Sequence, residues 1–254
     1  MRAVACCVAA ALTLLCAAQA QAQTADEIVE KHLAAIGGRA ALAKLESRIT
    51  RGTMSVSVQG VDIAGPVEIY SKAPNKLRSY AKLDLSQVSG GTVGEVVVDQ
   101  RCDGKSGFVS NTLQGDRDLT GSQLQSMLNT AVFPTPLLNY KEAGGKVELA
   151  GKDTVGDRPV FVVLYSPKAG FPFKEYFDAE NYQLLRVVSK TEIPELGGET
   201  EQTVDYRDYR EVDGVKIAFT QSIVNAAQSI SITLQTVEHN KPIDESMFSK
   251  PVAK

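Results

Sequence analysis

The sequence predicts a mainly β (α+β) fold: a single curled antiparallel sheet of about ten to twelve strands, with an N-terminal helix and a central helical insertion covering its concave face. Three observations predict it. Apolar and polar residues alternate through most of the chain, the pattern of strands with one buried face. Turn residues suited to hairpins recur between those runs. Helical periodicity shows at two places only, 25–45 and 120–139. No repeat, low-complexity stretch or long linker divides the chain, so one domain accounts for it. A sheet that long must curl, and the two helical segments are what can cover the inside of the curl.

The first residues read as an export signal. Met1 and Arg2 precede an apolar run at 3–18, the layout of a cleavable secretory signal peptide, and residues 1–22 are assigned to it. Small residues fall as A-x-A at 18–20 and 20–22, so cleavage is expected after Ala20 or Ala22. A permanent anchor is the competing reading, but the run is short for a bilayer span and no basic stop follows it. Lipid attachment at Cys16 would need a small residue before it, where Leu15 is bulky. Three of the four cysteines, Cys6, Cys7 and Cys16, leave with the signal. Cys102 alone cannot form an internal disulfide, so an ordinary core must hold the exported chain together. Cleavage removes Arg2 and no acid: basic residues fall from 27 to 26 against 30 acidic ones, and the formal charge goes from −3 to −4. That balance argues against a nucleic-acid partner. The absence of a second long apolar run argues against a transmembrane segment in the mature chain, and the expected location is the periplasm.

In the mature chain, Thr24 and Glu27 form a capping box that starts a helix. Ile28, Leu33 and Ile36 mark its apolar stripe, Gly37-Gly38 stops it, and a short helix at 39–45 follows. The period then switches to two. Met54, Val56 and Val58 alternate with Thr53, Ser55 and Ser57; Val61, Ile63, Val67 and Ile69 form the apolar face of the next strand; Leu77, Leu83 and Leu85 alternate with Arg78, Lys82 and Asp84. Turns are expected at Gln59-Gly60, Ala73-Pro74-Asn75 and Gly90-Gly91, and a hairpin at Asp103-Gly104. The insertion at 120–139 is capped at Thr120 or Ser122, carries Leu124, Met127, Leu128 and Val132 on one side, and ends at Phe133-Pro134-Thr135-Pro136. Strands resume at 147–150, 158–166, 173–177, 183–192, 199–209, 215–224 and 229–237. Asp178-Ala179-Glu180-Asn181 and Asp213-Gly214 are hairpin turns, and Ile230, Ile232 and Leu234 alternate with Ser229, Ser231 and Thr233.

Catalytic constellations are nearly absent from the sequence. The two histidines, His32 and His239, stand in no metal-ligand spacing and are expected to be solvated or half-buried and on the surface, respectively. Cys102 has no basic partner to activate it and reads as a structural thiol. Asp99 and Asp103 are candidate cation ligands, but turn chemistry accounts for Asp103. No P-loop, dinucleotide fingerprint or nucleophile elbow is found, and neither metal nor cofactor is expected. An enzyme is therefore not expected. A hydrolase built on an unrecognised acid pair is the catalytic alternative, and it would need two carboxylates converging in a cleft.

The segments ADEIVEKHLAAIGGRAAL, FDAENYQLLR, VDYRDYREVDGVKIAFT and TVEHNKPIDESMFSKP, in that order, resemble the outer-membrane lipoprotein-sorting superfamily of LolA/LolB-like half-barrels. The resemblance covers essentially all of 23–254, and its motifs are structural: the hairpin with Phe177, Asp178, Tyr182 and Leu184, the Asp213-Gly214-Val215-Lys216 hairpin, and the terminal run from Asn240 through Ile243-Asp244 and Phe248 to Pro251. It implies an unclosed half-barrel whose concave face holds the acyl chains of a lipid or lipoprotein under helices that open on loading. The function it implies is a periplasmic carrier that exchanges cargo with inner- or outer-membrane donor and acceptor proteins. On that reading Met54, Val56, Val58, Val61, Ile63, Val67, Ile69, Leu77, Leu83, Ile230, Ile232 and Leu234 line the cavity, and Leu124, Met127 and Leu128 lie beneath the lid. The chain has no Trp and few aromatics, so a free lipid or glycolipid stands beside a lipoprotein as cargo, and Arg51 is not assigned a lid-locking role. The alternative function is a non-catalytic envelope module that uses the same fold to dock a partner protein.

Overall fold

The computed structural model describes residues 23–58, 60–86, 88–193 and 198–251, so the expected signal peptide lies outside the described residues. Helix α1 (Ala25–Ala35) begins as the capping box requires: Glu27 N donates to Thr24 Oγ1 at 3.2 Å, and Thr24 N donates to Glu27 Oε2 at 3.1 Å. It buries Ile28, Val29, His32 and Leu33. Gly37 follows at φ +130°, where a Cβ would lie 2.5 Å from the Gly214 carbonyl oxygen. Only glycine permits that approach, which lets Lys216 N donate to the Ile36 carbonyl at 2.9 Å and docks the helix end on the sheet. Helix α2 (Arg39–Leu42) is a single further turn.

The strands are β1 (Ser47–Val58), β2 (Val61–Lys72), β3 (Lys76–Asp84), β4 (Glu95–Cys102), β5 (Gly107–Asn111), β6 (Gly115–Asp118), β7 (Lys146–Val155), β8 (Arg158–Ser166), β9 (Phe173–Asp178), β10 (Leu184–Ile193), β11 (Gly198–Val212), β12 (Val215–Val224) and β13 (Ser229–His239). They form one open antiparallel sheet in the order β6-β5-β4-β3-β2-β1-β13-β12-β11-β10-β9-β8-β7. Every neighbour but one is a sequential hairpin; the exception is β1 against β13. The chain thus walks outward from β1 to one edge, restarts at the opposite edge with β7, and walks back to the middle. Helix α3 (Gly121–Thr130) and a 3₁₀ turn, Pro136–Asn139, belong to the link between the two edges. The central insertion is where it is because the topology requires a crossing from edge to edge.

Thirteen strands exceed the expected ten to twelve because β5 and β6 form an extra hairpin. Strand β6 reads Gly-Asp-Arg-Asp, all exposed, with no alternation to reveal it; a short charged edge strand resists pairing with other chains. The insertion is also less helical than expected, ending at Thr130. The Asp213-Gly214 turn has φ of 52° and 79°, the left-handed pair a two-residue hairpin demands. The main core packs α1, α2 and the 3₁₀ turn on the inner face of the sheet, centred on Ile28, Leu33, Leu137, Val163, Phe177 and Val215. On the outer face the C-terminal segment forms a second cluster, where Phe248 and Ile243 pack with Ile49, Tyr70 and Met247.

Candidate functional site

Residues directly opposed in an antiparallel ladder share a face, which makes the inner wall easy to trace across the sheet. One row runs Ile63, Val56, Ile230, Ile223, Val204, Val187, Glu175, Val163, Leu149 over nine strands. All but one of these residues are aliphatic. Part of the row, from Ile223 to Glu175, faces a cavity of about 470 Å³ between the sheet and the helices, within the range of small-molecule sites. The helical side of the wall comes from His32 and Ile36, from Ser126, Asn129 and Thr130 of α3, and from Pro134, Thr135 and Pro136.

Glu175 is the exception in the row. It is 4% exposed, and its Oε2 is buried with no hydrogen-bond partner among the described residues. Burial pushes its carboxyl up to about 8, so at neutral pH it carries a proton and can donate one hydrogen bond. Burial, and then the nearby Glu175, push the phenol of Tyr206 up to about 12. Tyr209 donates to the Leu184 carbonyl at 2.7 Å.

Arg48 also lines the cavity. Its Nε donates to His239 Nε2 at 3.1 Å, and its guanidinium lies 5.1 Å from the Phe133 ring centroid, a cation–π distance. Desolvation lowers its pKa to about 10, which leaves it charged at neutral pH. His239 is not a surface residue: it is 7% exposed, because β13 pairs it with Arg48 on the inner face. Its Nδ1 lies 3.1 Å from Asp213 Oδ2. Burial, then the Arg48 charge, hold the imidazole below its ordinary value despite Asp213. His32 is likewise buried rather than solvated, since α1 turns it toward the sheet. Its Nδ1 is 2.9 Å from the Tyr182 carbonyl and its ring tilts against Phe177 at 4.8 Å, while burial drives its pKa down to about 4.

The residues expected to line the cavity lie elsewhere on the same curved wall. Val67, Ile232 and Leu234 are buried in the main core; Met54, Ile69 and Ile230 pack against it; Val56 and Leu83 are buried; Ile63 and Leu77 are partly buried. Val61 is 42% exposed just after the β1–β2 turn, and the side chain of Val58 lies outside the described residues. In α3, Leu124, Met127 and Leu128 are partly buried, and Leu124 leans toward Gly107 of β5. The helix presents its polar residues to the cavity instead, and Asn129 Nδ2 ties it to the Ala169 carbonyl at 3.0 Å. Sequence reading missed Glu175 and Arg48. Glu175 left a usable signal, since it shares the inward parity of Phe173 and Phe177; Arg48 left none.

Cys102 is free and fully buried, and desolvation raises its thiol pKa, the condition of an inert cysteine. Asp99 faces outward, between Arg78 and Arg101. Among the described residues no three His, Cys, Asp or Glu side chains group as a metal site, and no helix is long and apolar enough to cross a membrane.

No family model matches the sequence, and no curated protein matches it. Solved structures do. A domain described as outer-membrane lipoprotein-sorting, from Vibrio parahaemolyticus, matches 88% of this chain and 95% of its own at 12% identity and a TM-score of 0.54. A LolA superfamily protein from Nitrosomonas europaea matches over 90% and 99% at 11% identity, TM-score 0.55. The fold is that of the LolA superfamily. A DUF1329 family protein from Desulfovibrio piger also matches, at 11% identity and TM-score 0.57 over 89% and 97% of the two chains. At these identities the likeness concerns architecture: an open half-barrel with helices inside its curve.

Proposed function

We propose that this protein is a periplasmic carrier that holds the acyl chains of a lipid or lipoprotein against the inner wall of its half-barrel and escorts them across the envelope. The observation that carries the reading is the aliphatic row across the sheet, part of which opens on a 470 Å³ cavity instead of being filled by the helices. Burying a methylene is worth about 0.8 kcal/mol, so a sixteen-carbon chain costs on the order of 12 kcal/mol to expose to water. A carrier removes that barrier. Helix α3, which buries no residue fully and bridges the sheet's two edges, is the element that moves to admit the chain. Residues 1–22 are the export signal. The LolA-like fold supports the reading.

Native mass spectrometry and lipid extraction of protein purified after export test it. Bound lipid, or saturable uptake of a fluorescent acyl probe, is the expected result; an empty protein that takes up no probe sinks the carrier.

A further inference from the structure

We infer that the cavity is built for an amphiphile with an anionic head, carboxylate or phosphate, and that Arg48 is the residue that receives the head. The inference rests on the carrier reading and specifies its cargo.

Arg48 stands apart from the other arginines of this chain. Arg39, Arg51, Arg78, Arg101, Arg158, Arg186, Arg207 and Arg210 each have a carboxylate within 4 Å. Among the described arginines, Arg48 and Arg117 have none, and Arg117 sits on the fully exposed edge strand β6. Arg48 is the cavity-wall arginine. Buried charges in proteins are paired, because an isolated one is costly to desolvate. Here no described residue supplies the counter-charge.

The surroundings hold the guanidinium in place without neutralising it. Because Arg48 Nε must donate, His239 Nε2 must accept, so the imidazole proton is on Nδ1 and is donated to Asp213. The neutral ring thereby separates Asp213 from Arg48. Phe133 covers one guanidinium face. With Nε occupied, the two terminal nitrogens have no bonding partner among the described residues, and a guanidinium edge of that kind matches a carboxylate or phosphate in a bidentate geometry. Glu175, the acid in the same wall, is protonated and supplies no counter-charge. The other cavity cations, Lys190 and Lys216, are exposed, and Lys190 is already bound to Glu199 at 3.0 Å. Beyond the head, Val187, Val204, Ile217 and Ile223 offer apolar wall to a chain.

The test compares hexadecanoate with methyl hexadecanoate, which share the acyl chain and differ in the head's charge and one methyl group, on delipidated protein purified after export. Hexadecanoate should bind at least ten-fold more tightly, with hexadecyl phosphate behaving like the carboxylate if the site reads charge in either form. Arg48→Gln should abolish the preference for acid over ester, with an unchanged circular-dichroism spectrum and urea midpoint showing that the variant folds; Arg48→Lys should keep part of the preference. Equal binding of acid and ester by the unaltered protein overturns the headgroup inference and leaves the carrier reading intact. So does an undiminished preference in Arg48→Gln, or inorganic phosphate alone binding as tightly as hexadecanoate. Failure of acid and ester alike to bind removes the carrier reading, and the headgroup inference with it.

Discussion

The two faces of the sheet both bury charge, and they treat it in opposite ways. On the outer face Asp99 is held between Arg78, at 2.8 Å, and Arg101, at 2.7 Å, and Arg101 also donates to the Ser249 carbonyl at 3.0 Å. Burial alone would raise the Asp99 carboxyl; the bonds from Arg78 and then Arg101 overcome it and hold the group below its ordinary value. The C-terminal segment closes over the cluster, with Phe248 in the outer core and Lys72 and Lys76 holding Glu245. On the inner face, among the described residues, Arg48 has no acid beside it and Glu175 no base. Paired charge under a strap is structure. Charge without a described partner, beside an open cavity, is what the proposed headgroup site would use, and the difference separates the outer face from the inner one.

The sharpest way to break the comparison is at the outer strap. Phe248 is 1% exposed, and Phe248→Ala should cost about 3–5 kcal/mol of unfolding free energy in urea titration. A cost below about 1 kcal/mol would mean that the strap is an ornament on the outer face. Next, Asp99→Ala strands two arginines whose side chains are 14% and 12% exposed, and should cost about 3 kcal/mol. If it is neutral, the outer pairing carries no more weight than the inner solitude.

Glu175 should behave the other way, since its charge is a liability. Between its ordinary value of 4.5 and about 8 the folded state keeps a proton that the unfolded state has lost, so stability falls as pH rises, by up to about 1.4 kcal/mol per unit. His32, lowered from 6.5 to about 4, works in the opposite direction: the unfolded chain takes up its proton below 6.5, so stability rises with pH from 4 to 6.5. The two oppose each other below pH 6.5, and Glu175 acts alone above it. Chemical denaturation of the unaltered protein should therefore lose about 2 kcal/mol between pH 6.5 and 8, and Glu175→Gln should abolish that decline. A decline of the same size in both proteins would assign it elsewhere. The smallest effect belongs to Arg51, which pairs with Glu238 at 2.7 Å on the outer face but is 44% exposed; Arg51→Gln should cost less than about 1 kcal/mol, and less still in high salt.

Much of this fold can be read from local chemistry. Strands β8 and β12 have the bounds their alternation predicts, Thr24 and Glu27 cap α1 reciprocally, and Asp213-Gly214 turns as its residues require. Strand β6 could not be read, because four exposed residues have no buried face to set a period. The helices could be placed, but not their orientation: α3 has apolar and polar residues on its surface, and only the crossing between sheet edges decides that Ser126, Asn129 and Thr130 meet the cavity.

The sequence by itself determined a one-sided sheet, its hairpins and two helical segments, because strand period, turn preference and capping act over a few residues. It even held the inward parity of Glu175, between Phe173 and Phe177. Only the tertiary structure decided that Arg48 stands partly buried in the cavity wall with no acid beside it among the described residues. Its partner His239 lies 191 positions away, on the strand whose return to β1 joins the two halves of the sheet. Burial of a charge is a property of what surrounds it, and those surroundings here come from Phe133 in the middle of the chain and His239 far along it.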